Sequence, residues 1–560
     1  MRQFFRFPPM LLIFLLFLGA CQSPPPPEEL PVPPDSPALE GPEAPREGGP
    51  DTAETRPRAI QRDKLTVAFG KADVELDPRK SYIASEAQLF TGLYEGLFSY
   101  HPVSLEPVPG AAEKWEVSAD KKTWTFTIRN NAAYWNGDTL RAEDFRAAWI
   151  SLLNPERESP YSGLFDVIQG ARDYRTGKVS DPSSVGIKTA GDKTLVIRLA
   201  SPASFFPLML CHHSFSPVHP SMLENEDWSA APPLSNGPFY IVERDSSDDG
   251  LNKLVLAKNG RYWDSQRVNL NQITILYTED EEAAVLWNSG QARWVAGNVS
   301  LEALTDRSGI MVNPMFATYY YFIRSSEKPW TDHRVRRALI LALPWETLRE
   351  GYSLPATTLI FPLQGYPKIE GLTLTDVSES LRLLEEAGFP KGEGLPELVL
   401  RISPSQDAAR IGELMALAWK EKLGAKVRIE VVPYRQYLQS LKKDGYTVGS
   451  SSWIGDFADP YTFLQIWRRD SNLNDARLDD ADYEALIEKS MIQEGAERLA
   501  TLAEAEKLLL DRGTVIPISY SPALNIVDTG ELDGWYPNAL DIHPFKYLIF
   551  KGFRPLPGVA

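Results

Sequence analysis

The stretch SSWIGDFADPYTFL, residues 451–464, sets two carboxylates, Asp456 and Asp459, three residues apart between a tryptophan and a proline. Three chemistries fit those residue types: a catalytic acid/base pair, a turn, or a socket for a positively charged ligand. Two nearby carboxylates serve glycosidases, but spacing along a loop does not set their separation in space. Asp459 directly precedes Pro460 and is read as organising the turn, which leaves Asp456 as the candidate for ligand contact. The chain contains no HExxH, GxSxG or GxxxxGK[ST] motif, so the usual signatures of metalloprotease, hydrolase and nucleotide chemistry are missing. The nearest approach to a metal-type cluster is Cys211-His212-His213 with His219, in LMLCHHSFSPVHP.

Any such site must be positioned by a large scaffold. A chain of 560 residues with 43% apolar and 11% aromatic residues buries a sizeable core but exceeds one compact domain, so more than one is expected. The net charge of −17 and the lack of a basic stripe interleaved with aromatics argue against a nucleic-acid partner. At the N-terminus, Arg2 and Arg6 precede an apolar run from Met10 to Leu18 that ends Leu18-Gly19-Ala20-Cys21. The run is too short to span a membrane, and residues 1–20 read as a signal peptide. Its end resembles the lipobox of bacterial lipoproteins, which implies cleavage before Cys21 and acylation of that residue as a membrane anchor. Loss of Arg2 and Arg6 then takes the charge from −17 to −19. Cys211 is the other cysteine, so no intramolecular disulfide is expected although the compartment is extracytoplasmic.

Residues 21–60, with Gln22 to Arg58 rich in Pro, Glu and Gly, cannot bury enough surface to fold and are expected to form an extended tether. At about 3.1 Å per residue it reaches on the order of 100 Å from the membrane. Beyond it, Leu65-Thr66-Val67-Ala68-Phe69 alternates as a half-buried strand does, ahead of the turn-forming Leu76-Asp77-Pro78. Trp124, Phe126 and Ile128, and Val427, Ile429 and Val431, alternate in the same way. Helical faces appear at Ile411, Leu414, Leu417 and Ala418 before Gly424, and at Leu381, Leu384 and Ala387 before Gly388. The mixture predicts an α/β or α+β fold with no repeat of fixed period.

The order of the motifs carries a resemblance. GLYEGLF (92–98), PGAAEKWEVS (109–118), TWTFTIRNNAAYWNGD (123–138) and Ala142-Glu143-Asp144-Phe145 are followed by Ser159-Pro160-Tyr161, Asn236-Gly237-Pro238-Phe239-Tyr240, and Lys258-Asn259 with Tyr262-Trp263-Asp264. Then come Ala317-Thr318-Tyr319-Tyr320-Tyr321, Asp332 with Arg334-Val335-Arg336-Arg337-Ala338-Leu339, and LLEEAGF. From about Leu65 to about Leu548 the chain resembles the bacterial extracellular solute-binding proteins of the oligopeptide-binding family. The resemblance implies an α/β, two-lobed clamp like the periplasmic binding proteins, type II, of the large cluster with an extra domain. Lobe I is then discontinuous (61–95, 235–316 and 520–560), the extra domain is 96–234, and lobe II is 317–519. It further implies an oligopeptide ligand, delivery to ABC permease subunits in the membrane, a monomer, no cofactor, no metal and no catalysis. The alternatives on the same fold are a binder of an oligosaccharide, haem or metal complex, or a peptide-sensing receptor.

Residue by residue, Trp453, Asp456 and Pro460 match the family's Gly-Trp-x-x-Asp-Tyr-x-x-Pro segment, whose aspartate pairs with the peptide's α-ammonium. Such pairing recognises every peptide whatever its side chains. Tyr161, Tyr320, Trp453 and Tyr520 match positions that line the ligand cavity, and the Ser-Pro-Val after the histidines matches a structural part of the family. The chain departs from the pattern at Gln291, Ala292 and Arg293, at Ile323-Arg324, at Arg141, which is read as structural, and at Ser450, where peptide binders often carry Arg. Arg324 reads either as a substitute carboxylate clamp or, more simply, as a solvated surface residue.

Overall fold

Lys64–Gly70 forms a strand at the heart of a large sheet in the computed structural model, which describes residues 62–552 except 224, 226, 227, 229, 230, 248, 249 and 298. The leader expected at 1–20, Cys21 and the tether at 21–60 lie outside the described residues. The strand is parallel to Gln272–Thr278 on one side and to Trp294–Ala296 on the other. Leu65, Val67, Ala68 and Phe69 are all buried. It is therefore not the half-buried strand its alternation suggests: with parallel neighbours on both edges, both faces are covered.

The sheet has ten strands in the spatial order Val427–Val431, Leu398–Ile402, Val448–Ile454, Ile310–Ile323, Val515–Val527, Trp294–Ala296, Lys64–Gly70, Gln272–Thr278, Gly250–Lys258 and Phe239–Ser247. Two long antiparallel strands, Ile310–Ile323 and Val515–Val527, join its halves. At one end they pair as Ile310 with Ile526, next to Trp294–Ala296; at the other they pair as Phe322 with Val515, next to Val448–Ile454. Between these ends Pro314 faces Pro522, and the register shifts before Thr318 meets Tyr520. Neither proline has an N–H to donate, so the ladder weakens at this point. Phe316 there bonds elsewhere: its N–H donates to the Ala539 carbonyl at 2.7 Å and its carbonyl accepts from Gly455 N at 2.8 Å. This waist divides the fold into the two lobes of a type II clamp.

A separate four-stranded sheet, in the order Ala112–Val117, Thr123–Ile128, Thr194–Arg198, Ile187–Thr189, belongs to the segment that follows the first lobe strand. Its inward residues are the alternating Trp124, Phe126 and Ile128. In the second lobe the helix Gln406–Leu423 starts at Ser405, whose hydroxyl accepts from Ala408 N at 3.1 Å, and stops at Gly424 with φ 65°. That left-handed turn is cheap for glycine. The helix Val377–Glu386 is capped by Asp376 accepting from Glu379 N and ends ahead of Gly388.

Candidate ligand-binding site

Asp456 is held at the waist by three local devices. The strand Val448–Ile454 ends just before it, and Gly455 packs where a Cβ would lie 2.3 Å from the Phe316 ring, so only glycine fits. The Thr462 hydroxyl accepts from Asp456 N at 2.8 Å and donates to Asp456 Oδ2 at 2.7 Å. From the other side of the cleft the Tyr161 hydroxyl donates to Asp456 Oδ1 at 2.8 Å, and the Tyr100 hydroxyl donates to its backbone carbonyl at 3.3 Å.

The electrostatics distinguish the two aspartates. Arg498 grips both carboxylate oxygens of Asp459, at 2.7 and 2.9 Å, and Asp459 Oδ1 accepts from Tyr461 N at 2.9 Å. Asp459 is thus neutralised inside the protein while shaping the turn, and is not free to act as an acid or base beside Asp456. The Asp456 side chain is only 7% exposed, yet among the described residues its ion-pair contact is a single histidine, His212, with Nε2 3.5 Å from Oδ1. Ser214 N donates to His212 Nδ1 at 3.3 Å, which places the ring proton on Nε2, facing the carboxylate. A buried carboxylate with neutral donors and no fixed cation is electrostatically incomplete.

These residues border a cleft whose space open to atom centres is about 270 Å³. At roughly 10–15 Å³ per water-sized sphere, that exceeds what an ion needs and suits a small organic molecule or short chain. The wall combines both lobes and the intervening segment: Tyr82 to Tyr94, Phe98 to Tyr100, Tyr161, Cys211 to His213, Tyr320, Ser451 to Asp456, and Leu540 to Lys546 contribute. The structure brings Asp456, Trp453, Tyr161 and Tyr320 onto this wall. Tyr161 lies edge-on to His212 at 4.4 Å and 6.3 Å from Trp453, while Tyr320 packs on Trp467 at 5.5 Å. The strand behind them, Val448–Ile454, pairs with Ile310–Ile323 along one edge, but its other edge pairs with Leu398–Ile402 only at Val448 and Gly449.

Two expectations need correction, and two departures from the family pattern find structural partners. Tyr520 does not line the cleft: its hydroxyl bonds Thr358 Oγ1 at 2.5 Å and its ring packs edge-on to Phe361 at 5.1 Å. Arg324 is neither a clamp nor a solvated residue; it is 4% exposed, pairs with Asp444 at 2.7 Å and lies 4.9 Å over the Tyr446 ring. Arg293 pairs with Asp528 at 2.8 Å, and Ser450 bonds the Tyr437 hydroxyl at 2.8 Å.

The histidines diverge rather than converge on a metal. His213 Nε2 meets the Ser81 carbonyl at 3.2 Å, and burial pushes its pKa well below the ordinary value, so it is neutral. His219 pairs with Asp138 at 3.0 Å. Among the described residues no group of three metal-ligating side chains is found. Sequence reasoning missed His212 as a wall residue, and also the wall pairs Lys442–Asp475 at 2.8 Å and Lys546–Glu95 at 3.1 Å. The Cys-His-His run was visible, but its neighbour Asp456 lies far along the chain.

Comparison with known proteins agrees with this architecture. The chain is 29% identical over 439 residues to the oligopeptide-binding protein OppA of Bacillus subtilis, covering 74% of this chain and 80% of that protein. It is 29% identical over 494 residues to the periplasmic oligopeptide-binding protein OppA of Salmonella typhimurium, covering 84% and 90%. The structure superimposes on the murein tripeptide binding protein MppA of Escherichia coli with a TM-score of 0.78 at 25% identity, covering 88% of this chain and 99% of that one. Against the unliganded open form of MppA, over 88% and 98% of the chains at 26% identity, the TM-score falls to 0.60, so the lobes here sit unlike those of the open form. Residues 106–475 match the model of the bacterial extracellular solute-binding proteins, family 5 Middle, and the chain belongs to that family.

Proposed function

We propose that this protein is a lipid-anchored, extracytoplasmic receptor that encloses an oligopeptide between its lobes, with the peptide's α-ammonium on Asp456, and hands it to the subunits of an ABC permease. The observation that carries the reading is the Asp456 carboxylate: nearly buried, held by the hydroxyls of Tyr161 and Thr462, and facing the cleft without a lysine or arginine partner among the described residues. An ammonium placed there completes the charge and makes charge-assisted hydrogen bonds in a low-dielectric site. The open edge of Ser451–Ile454 supports the same ligand class, because an extended peptide can continue the sheet through backbone hydrogen bonds that do not depend on its side chains. Trp453, Tyr161 and Tyr320 supply broad apolar contact for variable residues.

In this reading lobe I comprises 61–95, 235–316 and 520–560, the extra domain is 96–234, and lobe II is 317–519. The acylated Cys21 and the tether keep the receptor near its permease and raise its local concentration there. The protein acts as a monomer, without cofactor or metal, and performs no catalysis. The test is native mass spectrometry of the purified protein, followed by identification of whatever it releases. Peptides of mixed sequence with free amino ends are expected; an oligosaccharide, a haem or a metal complex in their place contradicts the reading. Turnover of a peptide mixture by the purified protein would show an enzyme instead.

A further inference from the structure

The charges on the cleft wall do not provide for both ends of a peptide. Its lysines, Lys442 and Lys546, are each already paired, with Asp475 at 2.8 Å and Glu95 at 3.1 Å. Lys442 Nζ also donates to the Asn472 carbonyl at 2.7 Å. No arginine lines the cleft among the described residues, and Arg324 is committed to Asp444. His213 is neutral, and the Nδ1 of His212 is used as an acceptor. With these pairs cancelled, the wall is left with one net charge, the carboxylate of Asp456. A cation entering alone balances it; a carboxylate entering as well would be desolvated with no partner.

The geometry of the wall supplies a way out for that carboxylate. Asp456 follows one end of the strand Val448–Ile454, and the helix Tyr434–Leu441 packs over the other end, where Tyr437 bonds Ser450. On that helix Leu438 lines the cleft, one turn from Lys442, and is 37% exposed; Tyr434, one turn the other way, is 63% exposed. The row Lys442, Leu438, Tyr434 therefore runs from the wall to the surface. The part of the strand left open beyond that helix, Ser451–Ile454, spans roughly 13 Å, a length that an extended peptide of about four residues covers.

We propose that the cleft encloses only the amino-terminal part of its ligand and that the carboxyl end leaves beside the helix Tyr434–Leu441. The ligands are then peptides longer than about four residues whose terminal carboxylate takes no part in binding. This rests on the reading that Asp456 holds the α-ammonium.

Calorimetric titration of the whole protein with mixed-sequence pools tests it: nonapeptides as free acid, as C-terminal amide and as N-acetyl derivative, and tripeptides as free acid and amide. The nonapeptide acid and amide are expected to bind within threefold of each other, and the tripeptide acid at least tenfold more weakly than its amide. Nonapeptide amides binding tenfold or more weaker than the acids would show a carboxylate held inside and overturn the proposal, as would tripeptide acids binding more tightly than nonapeptides. Lys442→Gln asks the same question from the protein's side: the acid-to-amide ratio is expected to stay unchanged. A selective loss for the acids would show Lys442 leaving Asp475 for the ligand, which also overturns it. The N-acetyl arm separates the two levels of inference. Acetylated nonapeptides that bind as well as free ones refute the role of Asp456, and no binding of either length refutes the peptide reading and this proposal together.

Discussion

Asp166 and Arg175 meet Arg468, Asp470 and Glu484 in a buried charge network, and its disruption should separate closure from folding. Arg175 donates to both oxygens of Asp166 at 2.7 Å, to the Asp470 carbonyl at 2.7 Å and to Asp470 Oδ1 at 3.0 Å. Arg468 reaches Asp166 at 2.8 Å and Glu484 at 3.3 Å, and the side chains of Arg175, Asp166 and Arg468 are each 4% exposed. Replacing Arg175 with Met keeps much of the bulk but strands Asp166 and Asp470 with part of their counter-charge gone. Removing one member of a buried pair costs about 3–5 kcal/mol. If the network forms only when the lobes close, that cost falls on closure, and Arg175→Met weakens ligand binding by up to roughly 10²–10³-fold. The ligand-free protein, with the contact already open, then unfolds at nearly its original temperature. Calorimetry for affinity and thermal unfolding without ligand read the two quantities separately. Affinity within threefold of wild type together with a markedly lower unfolding temperature would refute the reasoning and make the network a permanent joint.

Other perturbations test other parts of the description. Gly455→Ala drives a methyl into the Phe316 ring and is expected to cost about 1–3 kcal/mol of stability while displacing Asp456; unchanged melting and unchanged affinity would contradict the packing. Burial pushes the Glu506 carboxyl up to about 7 from 4.5, although Ile360 N and the Tyr366 hydroxyl donate to it at 2.8 Å each. The folded state thus holds this proton more tightly than the unfolded chain, and stability falls as pH rises between about 4.5 and 7. Glu506→Gln should remove about 2–3 kcal/mol of the decline between pH 5 and pH 8 in denaturant titrations, and an undiminished decline would assign it elsewhere. Mass spectrometry of the N-terminal peptide should find Cys21 acylated, and an unmodified Cys21 in membrane-extracted protein would remove the anchor. Small-angle scattering should show contraction on saturation with peptide; an unchanged radius of gyration would count against closure.

What could be read in the sequence follows the range of the interactions concerned. Helix ends set by neighbours, such as the stop at Gly424, were legible because the left-handed turn is a local property. The strand at 64–70 was legible as a strand but not as a central one, since alternation reports side-chain parity and not the strands on either side. Asp456 was legible through the motif around it, whereas its difference from Asp459 depends on Arg498, 39 residues away. Tyr520 misled because the stretch Thr358–Phe361, about 160 residues earlier, fills the space it was expected to face. Arg324 was misjudged for the same reason: Asp444, 120 residues on, and Tyr446 bury it. His212 became a wall residue only when folding brought its segment against the waist.

The most direct test of the central claim is a thermodynamic cycle at the amine. Wild type and Asp456→Ala are each titrated with one peptide and with its N-acetyl derivative. If Asp456 meets the α-ammonium in a nearly closed site, the substitution leaves a buried cation unpaired and weakens binding of the free peptide by about 3–5 kcal/mol, roughly two to three and a half powers of ten. Acetylation should weaken binding to wild type by a similar amount and affect Asp456→Ala little further, so that the two losses are strongly coupled. Losses that simply add, with acetylation costing the variant as much as it costs wild type, would show that Asp456 does not hold the amine.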